Sequence, residues 1–249
     1  MLANFSVEQS LMKAKSHAKN GELAKAQELY QTILQNFSNN IRAQQGLAAL
    51  NKYNQNNLIQ SPPQEAIDQL VNLYNQGHLK SAFTQAQDLS HKHSNEFIVF
   101  NILGASAIQI GKLDEAIEAY KKCISLKPNY VDAYLNLGVA YKNQGKFDEA
   151  IEVYKTCILL KPNYAAAYEN LGIAFKNKGD LDKAVEAYKK AILLKPDHAN
   201  VYYNMGNVLS DQLKFKEAIE YYRKSISLKP NSVQAYHSMG NALKDKGEL

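Results

Sequence analysis

No window of this 249-residue sequence approaches the run of about 18 apolar residues that a membrane-spanning helix needs. The opening stretch MLANFSVEQSLMKAKSHAKNG lacks the apolar centre of a secretory leader, so the expected setting is soluble and cytoplasmic. Cysteine is nearly absent, with Cys123 and Cys157 the whole thiol inventory. No phosphate loop, nucleophile elbow or zinc-protease motif occurs. His91 and His93 stand two apart, a spacing that shares no helix face, and no cysteine or carboxylate constellation surrounds them. Neither catalytic residues nor a metal or cofactor site is therefore expected. A one-signed charge field is missing too. The net +5 is spread along the chain, which could favour acidic partners but is too diffuse to argue for nucleic acid.

What the sequence does have is a period. Gly104, Gly138, Gly172, Gly206 and Gly240 recur every 34 residues, as do Ala82, Ala116, Ala150, Ala184 and Ala218. Tyr120, Tyr154, Tyr188 and Tyr222 keep the same register, and so do Pro128, Pro162, Pro196 and Pro230. Four residue types holding one spacing mark tandem copies of a single structural unit. In 131–164, Ala133, Leu137, Ala140 and Tyr141 form one apolar helical stripe, and Gly145 supplies a left-handed stop. Asp148 and Glu149 then open a second helix at its positive end. Its buried face is Ala150, Ile151, Tyr154 and Ile158, and Pro162 prevents it from continuing. Gly138 and Ala150 leave room that Tyr154 fills. One such hairpin cannot bury its own apolar face, so neighbours must stack. Cys123 and Cys157 share a register position one repeat apart, where stacked helices stand about 8–10 Å from each other, too far for a disulfide. Both read as small core residues, since Ala191 and Ser225 follow at the same position.

The segment Tyr134-Leu135-Asn136-Leu137-Gly138-Val139-Ala140-Tyr141, followed by Ala150, Tyr154 and Pro162, resembles the tetratricopeptide repeat (TPR) pattern, with Tyr134 where that family often has tryptophan. The resemblance implies an all-α, right-handed superhelical solenoid of antiparallel helix pairs, with the first helix (A) of each pair lining the concave side. Full repeats are expected at 97–130, 131–164, 165–198 and 199–232, a half repeat at 233–249 and a degenerate repeat at 63–96. Residues 7–40 fit the pattern through Ala14, Gly21, Ala26 and Tyr30. The period fails between Tyr53 and Pro63. The expected organisation is thus an N-terminal helical subdomain over 1–52, an Asn-rich linker over 53–62, and the array over 63–249. Leu213 stands where a turn glycine belongs, so a differently built turn is expected there.

The resemblance also implies a function, the holding of another protein or peptide in the concave groove. The residues proposed to do so are Asn136, Asn170, Asn204, Asn207, Asn241, Tyr203, Lys142 and Lys176. Asn136, Asn170 and Asn204 share one position in three consecutive repeats, and an amide offers a peptide main chain both an acceptor and donors. Inheritance by duplication of a solvated asparagine explains the same ladder with no ligand. A similar ladder occurs in the arrays that precede O-linked N-acetylglucosamine transferase catalytic domains. The carboxylate-clamp variety of the family is excluded, because Leu135, Glu169, Tyr203 and His237 occupy the place of its first lysine and the groove has no arginine. Lys127, Lys161, Lys195 and Lys229 form a second ladder at helix C-termini, where they complement the macrodipole. Glu118/Lys122, Glu186/Lys190 and Glu220/Lys224 read as i,i+4 pairs on the solvated surface. RNA binding of the repeat type is disfavoured by the lack of a basic run in the groove. Helix 233–244 keeps an apolar face (Tyr236, Met239, Ala242, Leu243) with no second helix after it, so the expectation is either that the sequence is a piece of a longer chain or that a further element packs there. The alternative function is that of a substrate-recruiting N-terminal region of a larger enzyme such as a glycosyltransferase.

Overall fold

The computed structural model describes the backbone of residues 6–60 and 62–247, and the side chains of 6–52 and 62–247. Among the described residues there are fourteen α-helices and no strand. The chain divides into two compact units, one over residues 1–62 with the short stretch 92–95, the other over 63–91 and 96–249. The first holds α1 (Val7–Lys19), α2 (Leu23–Asn36) and α3 (Ile41–Gln60). The second begins with α4 (Gln64–Asn75) and α5 (Leu79–Lys92). It continues as the hairpins α6 (Phe97–Gln109) with α7 (Leu113–Leu126), and α8 (Val131–Asn143) with α9 (Phe147–Leu160). Then follow α10 (Ala165–Lys178) with α11 (Leu181–Leu194), α12 (Ala199–Asp211) with α13 (Phe215–Leu228), and α14 (Val233–Lys246).

The hairpin α8–α9 shows why the sequence folds this way. Ala133, Leu137 and Ala140 of α8 and Ala150, Ile151 and Tyr154 of α9 are buried. A β-carbon on Gly138 would stand 2.3 Å from the Tyr154 ring, so the ring reaches the α8 backbone only because that residue has no side chain. Gly145 takes φ +77°, its N–H donating to the Lys142 carbonyl at 3.0 Å while that of Lys146 donates to Tyr141 at 3.0 Å. Cys123 and Cys157 are buried free thiols, and burial pushes both up to about 11, which leaves them unreactive packing groups.

Three expectations change. Leu213 does not build a different turn. It adopts φ +61°, with N–H bonds from Leu213 to Ser210 and from Lys214 to Leu209, both 2.8 Å, matching the glycine turns. Stacking fixes the turn and the leucine accepts the strained geometry, its side chain exposed. Residues 53–60, expected as a linker, continue α3 to Gln60. Asparagine costs a helix only a few tenths of a kcal/mol per residue, and no glycine or proline intervenes before Pro62. None of the three expected i,i+4 pairs forms among the described residues: Glu186 and Glu220 have no ion pair with Lys190 and Lys224, and Glu118 pairs with Lys121 at 2.9 Å, not with Lys122, which sits over the Phe100 ring at 6.0 Å. The carboxylate of an exposed helix face has both lysines within reach, and neither choice stabilises much.

In the second unit the A helices α6, α8, α10, α12 and α14 each touch the next of their series. The B helices α7, α9, α11 and α13 meet A helices on either side and make no comparable contact with one another. The A helices therefore line the shorter, inner side of the stack.

Candidate functional site

All eight residues proposed from the sequence lie on these inner helices: Lys142 and Asn136 on α8, Asn170 and Lys176 on α10, Tyr203, Asn204 and Asn207 on α12, and Asn241 on α14. Numbered from the first residue of each A helix, the sixth position holds Asn136, Asn170, Asn204 and then Ser238. Each of these four is half-buried.

Beneath them runs a row of tyrosine hydroxyls from the B helices. Tyr120 presents its hydroxyl to the Asn136 amide, and burial pushes its pKa far above the usual phenol range, with that hydrogen bond opposing. Tyr222 donates to Asn207 Oδ1 at 2.8 Å and is pushed up to about 12, chiefly by burial. The Tyr154 and Tyr188 hydroxyls are buried with no hydrogen-bond partner among the described residues. Burial raises both well beyond the normal phenol value. All four remain neutral donors across the physiological range.

The three asparagines do not behave alike. Asn170 is engaged at both ends, its Nδ2 donating to the Ala166 carbonyl at 2.9 Å and its Oδ1 accepting from Lys142 Nζ at 3.2 Å. Asn204 has no hydrogen-bond partner among the described residues. Lys142 belongs to a half-buried charged group with Glu169 and His198, in which His198 Nδ1 lies 3.3 Å from Glu169 Oε2. Burial lowers the Lys142 ammonium, and Glu169 opposes that shift. Burial raises the Glu169 carboxyl, and His198, Lys142 and Lys195 oppose it.

Lys176, Asn207 and Asn241 come together around one cavity of about 330 Å³, with Ser210, Asp211, Tyr222 and Ser238 completing its lining. Lys176 Nζ stands 3.4 Å from Asp211 Oδ2 across it. Tyr203 packs beside it, its ring centroid 6.1 Å from that of Tyr222. Asn136 and Lys142 lie on the earlier helix α8 and Asn170 lies farther up α10 than Lys176, and none of the three lines this cavity. The binding residues proposed from the sequence did not include Ser210, Asp211, Tyr222 or Ser238; Tyr222 carries the core signature of the repeat, and Ser238 breaks the asparagine ladder. A cavity of hydroxyls, amides and one balanced ion pair can bind polar main-chain groups and has no activated nucleophile. Among the described residues no cluster of three or more His, Cys, Asp or Glu side chains is placed to hold a metal, and no helix is long and apolar enough to cross a membrane.

The sequence model of the family described as cilia and flagella-associated protein 70 C-terminal domain matches residues 41–249, and one described as tetratricopeptide repeat matches 10–40. Over 49 residues the chain is 41% identical to the peroxisomal targeting signal receptor of Kluyveromyces lactis. That match takes in 20% of this chain and only 9% of the receptor's length. A crystal structure of MamA protein is 36% identical, with 61% of this chain and 83% of that one covered and a TM-score of 0.56. A second MamA structure is 28% identical over 66% of this chain and 95% of that one, with a TM-score of 0.60. YrrB, described as a TPR protein with an unusual peptide-binding site, is 20% identical over 70% of this chain and 90% of that one. Its TM-score is 0.60, and at that identity it shares the fold alone.

Proposed function

We propose, for a chain that belongs to the family described as cilia and flagella-associated protein 70 C-terminal domain and is built of tetratricopeptide hairpins, that the inner face of residues 131–247 holds an extended segment of another polypeptide. Helical-hairpin arrays of this class act by binding proteins. The observation that carries the narrower reading is the polar cavity between α10, α12 and α14, with the uncommitted Asn204 amide near it on α12. An amide accepts a main-chain N–H and donates to a main-chain carbonyl, so recognition by Asn204, by Asn241 and by Nδ2 of Asn207, whose Oδ1 already accepts from Tyr222, tolerates many guest sequences. Each such bond contributes a net of roughly 1 kcal/mol. Three alone leave binding weaker than millimolar, and the Tyr203 ring must add apolar area.

The test is a peptide library of mixed sequence screened against the full chain, followed by affinity measurement on the best binder. Asn204→Ala/Asn207→Ala/Asn241→Ala should weaken it by about a hundredfold, at roughly 1 kcal/mol per amide. Asn170→Ala, whose amide is already satisfied within the protein, should change it by less than about threefold. Retention of full affinity by the triple variant removes the proposal.

A further inference from the structure

The first unit has its own cavity at the same register. Tyr30 of α2 corresponds to Tyr222 of α13, and Gly46 of α3 corresponds to Ser238 of α14. Lys15, Ala18 and Lys19 of α1 fall where Asn207, Ser210 and Asp211 stand on α12. These residues line a cavity of about 660 Å³, twice the volume of its counterpart and within the range that encloses a small ligand or a side chain. Its wall is apolar, made by Ala18, Leu23, Tyr30 and Leu50. Its rim carries Lys15, Lys19 and Arg42, and no acidic residue lines it. Arg42 is held by both oxygens of Glu8, at 2.8 and 2.9 Å. Among the described residues Lys15 and Lys19 have no ion-pair partner.

We infer that this cavity binds an acidic peptide segment, seating a bulky apolar side chain over Tyr30 while flanking carboxylates reach Lys15 and Lys19. Two features select that ligand. The wall offers burial to a hydrocarbon or aromatic group, with only the Tyr30 hydroxyl and Gln45 to hydrogen-bond a polar one, so burying a polar group away from those two costs free energy. The two cations lie one turn apart on α1 with Arg42 on a second helix, so the rim accommodates more than one anionic group. A segment with aspartates or glutamates on both sides of a leucine or phenylalanine supplies both features. The site belongs to the first unit and the asparagine-bearing face to the second, and neither proposal depends on the other.

The full chain is titrated against a fluorescein-labelled short peptide with a central leucine between glutamates, and against versions with central glycine or with lysines for glutamates. The glutamate–leucine peptide should bind at least about tenfold more tightly than both others. Lys15→Glu/Lys19→Glu should weaken it about tenfold, and 1 M salt should do the same to the wild type. Ala49→Trp, a substitution at an exposed cavity-lining position, should abolish it by filling the space. Lys216→Glu/Lys224→Glu, the same charge change on α13, should leave it unaltered. No measurable binding, equal binding of the lysine peptide, or equal loss in both charge-reversed variants overturns the inference. So does preferential binding of laurate or of ADP, which would assign the cavity to a lipid or a nucleotide.

Discussion

Tyr30 and Tyr154 are the same repeat residue in two units, both buried, yet they lean on different glycines. In the array the ring edge of Tyr154 lies against Gly138, the eighth residue of its own A helix, and Asn170 stands at the sixth position of the next. In the first unit that eighth residue is Ala14, which is fully buried. There the tip of the Tyr30 ring lies under Gly46, at the sixth position of α3, where a β-carbon would come within 2.3 Å of Cζ. The ring needs one residue without a side chain, and the helix that provides it decides what the other can carry. With glycine at the eighth position, an amide can stand at the sixth. With alanine at the eighth, the sixth must be bare, and an open apolar cavity replaces the amide. The asparagine ladder thus depends on the glycine ladder.

The largest test of that dependence is Gly138→Val, which should destabilise the array by about 3 kcal/mol because the Tyr154 ring it meets is itself fully buried. Amide exchange should accelerate first in α8 and α9. Gly240→Ala is its opposite. At that register no atom lies within 4 Å of the added carbon, so helix propensity should stabilise α14 by up to about 1 kcal/mol. If both variants melt alike, close packing is not what the glycines serve. Next in size is Gly46→Asn, expected to cost the first unit about 2 kcal/mol. Adding Ala14→Gly should restore about 1 kcal/mol beyond additivity in a double-mutant cycle read by exchange in α1–α3. Strict additivity would sever the proposed link between the two positions. Smaller again is the hydroxyl comparison. Tyr222→Phe should cost about 1 kcal/mol by removing the partner of Asn207, whereas Tyr154→Phe should be neutral or stabilising, since it deletes a buried hydroxyl with no partner among the described residues. Urea midpoints of the two variants measure the difference.

The hairpins and their buried stripes were legible because glycine, alanine, tyrosine and proline each hold one register, while the inner placement of the A helices followed from the resemblance to the tetratricopeptide pattern. The Leu213 turn was not, because local propensity argues against a positive φ and only the stacking of neighbouring hairpins overrides it. Leu213→Gly should consequently stabilise the array by about 1 kcal/mol. The candidate site was legible as a ladder of positions but not as chemistry. Asn170 and Asn204 are one residue type at one register, and only the lysine one repeat earlier and the backbone carbonyl one turn away occupy the first amide. The cavity over Tyr30 was hidden because its defining feature is the missing side chain of Gly46, in a helix whose register is broken off from the 34-residue period.

The smallest effect concerns the charged group that holds Asn170 in place. Glu169 of α10 is desolvated beside Lys142 of α8 and His198, and burial raises its carboxyl above the ordinary value of 4.5 despite His198, Lys142 and Lys195. The folded state therefore holds this proton more tightly than the unfolded chain does. That contribution to stability is fully present below the unfolded pKa and is lost as pH rises through the raised folded value. In a His198→Asn background, which removes the neighbouring imidazole, Glu169→Gln replaces the carboxyl by a group that cannot ionise. The variant should gain on its parent between pH 4 and pH 7, as measured by urea midpoints at both. A gap that moves the other way would mean that Lys142 stabilises the carboxylate by more than burial costs it. The amide of Asn170 would then be held by a lysine that is itself fixed in a favourable ion pair.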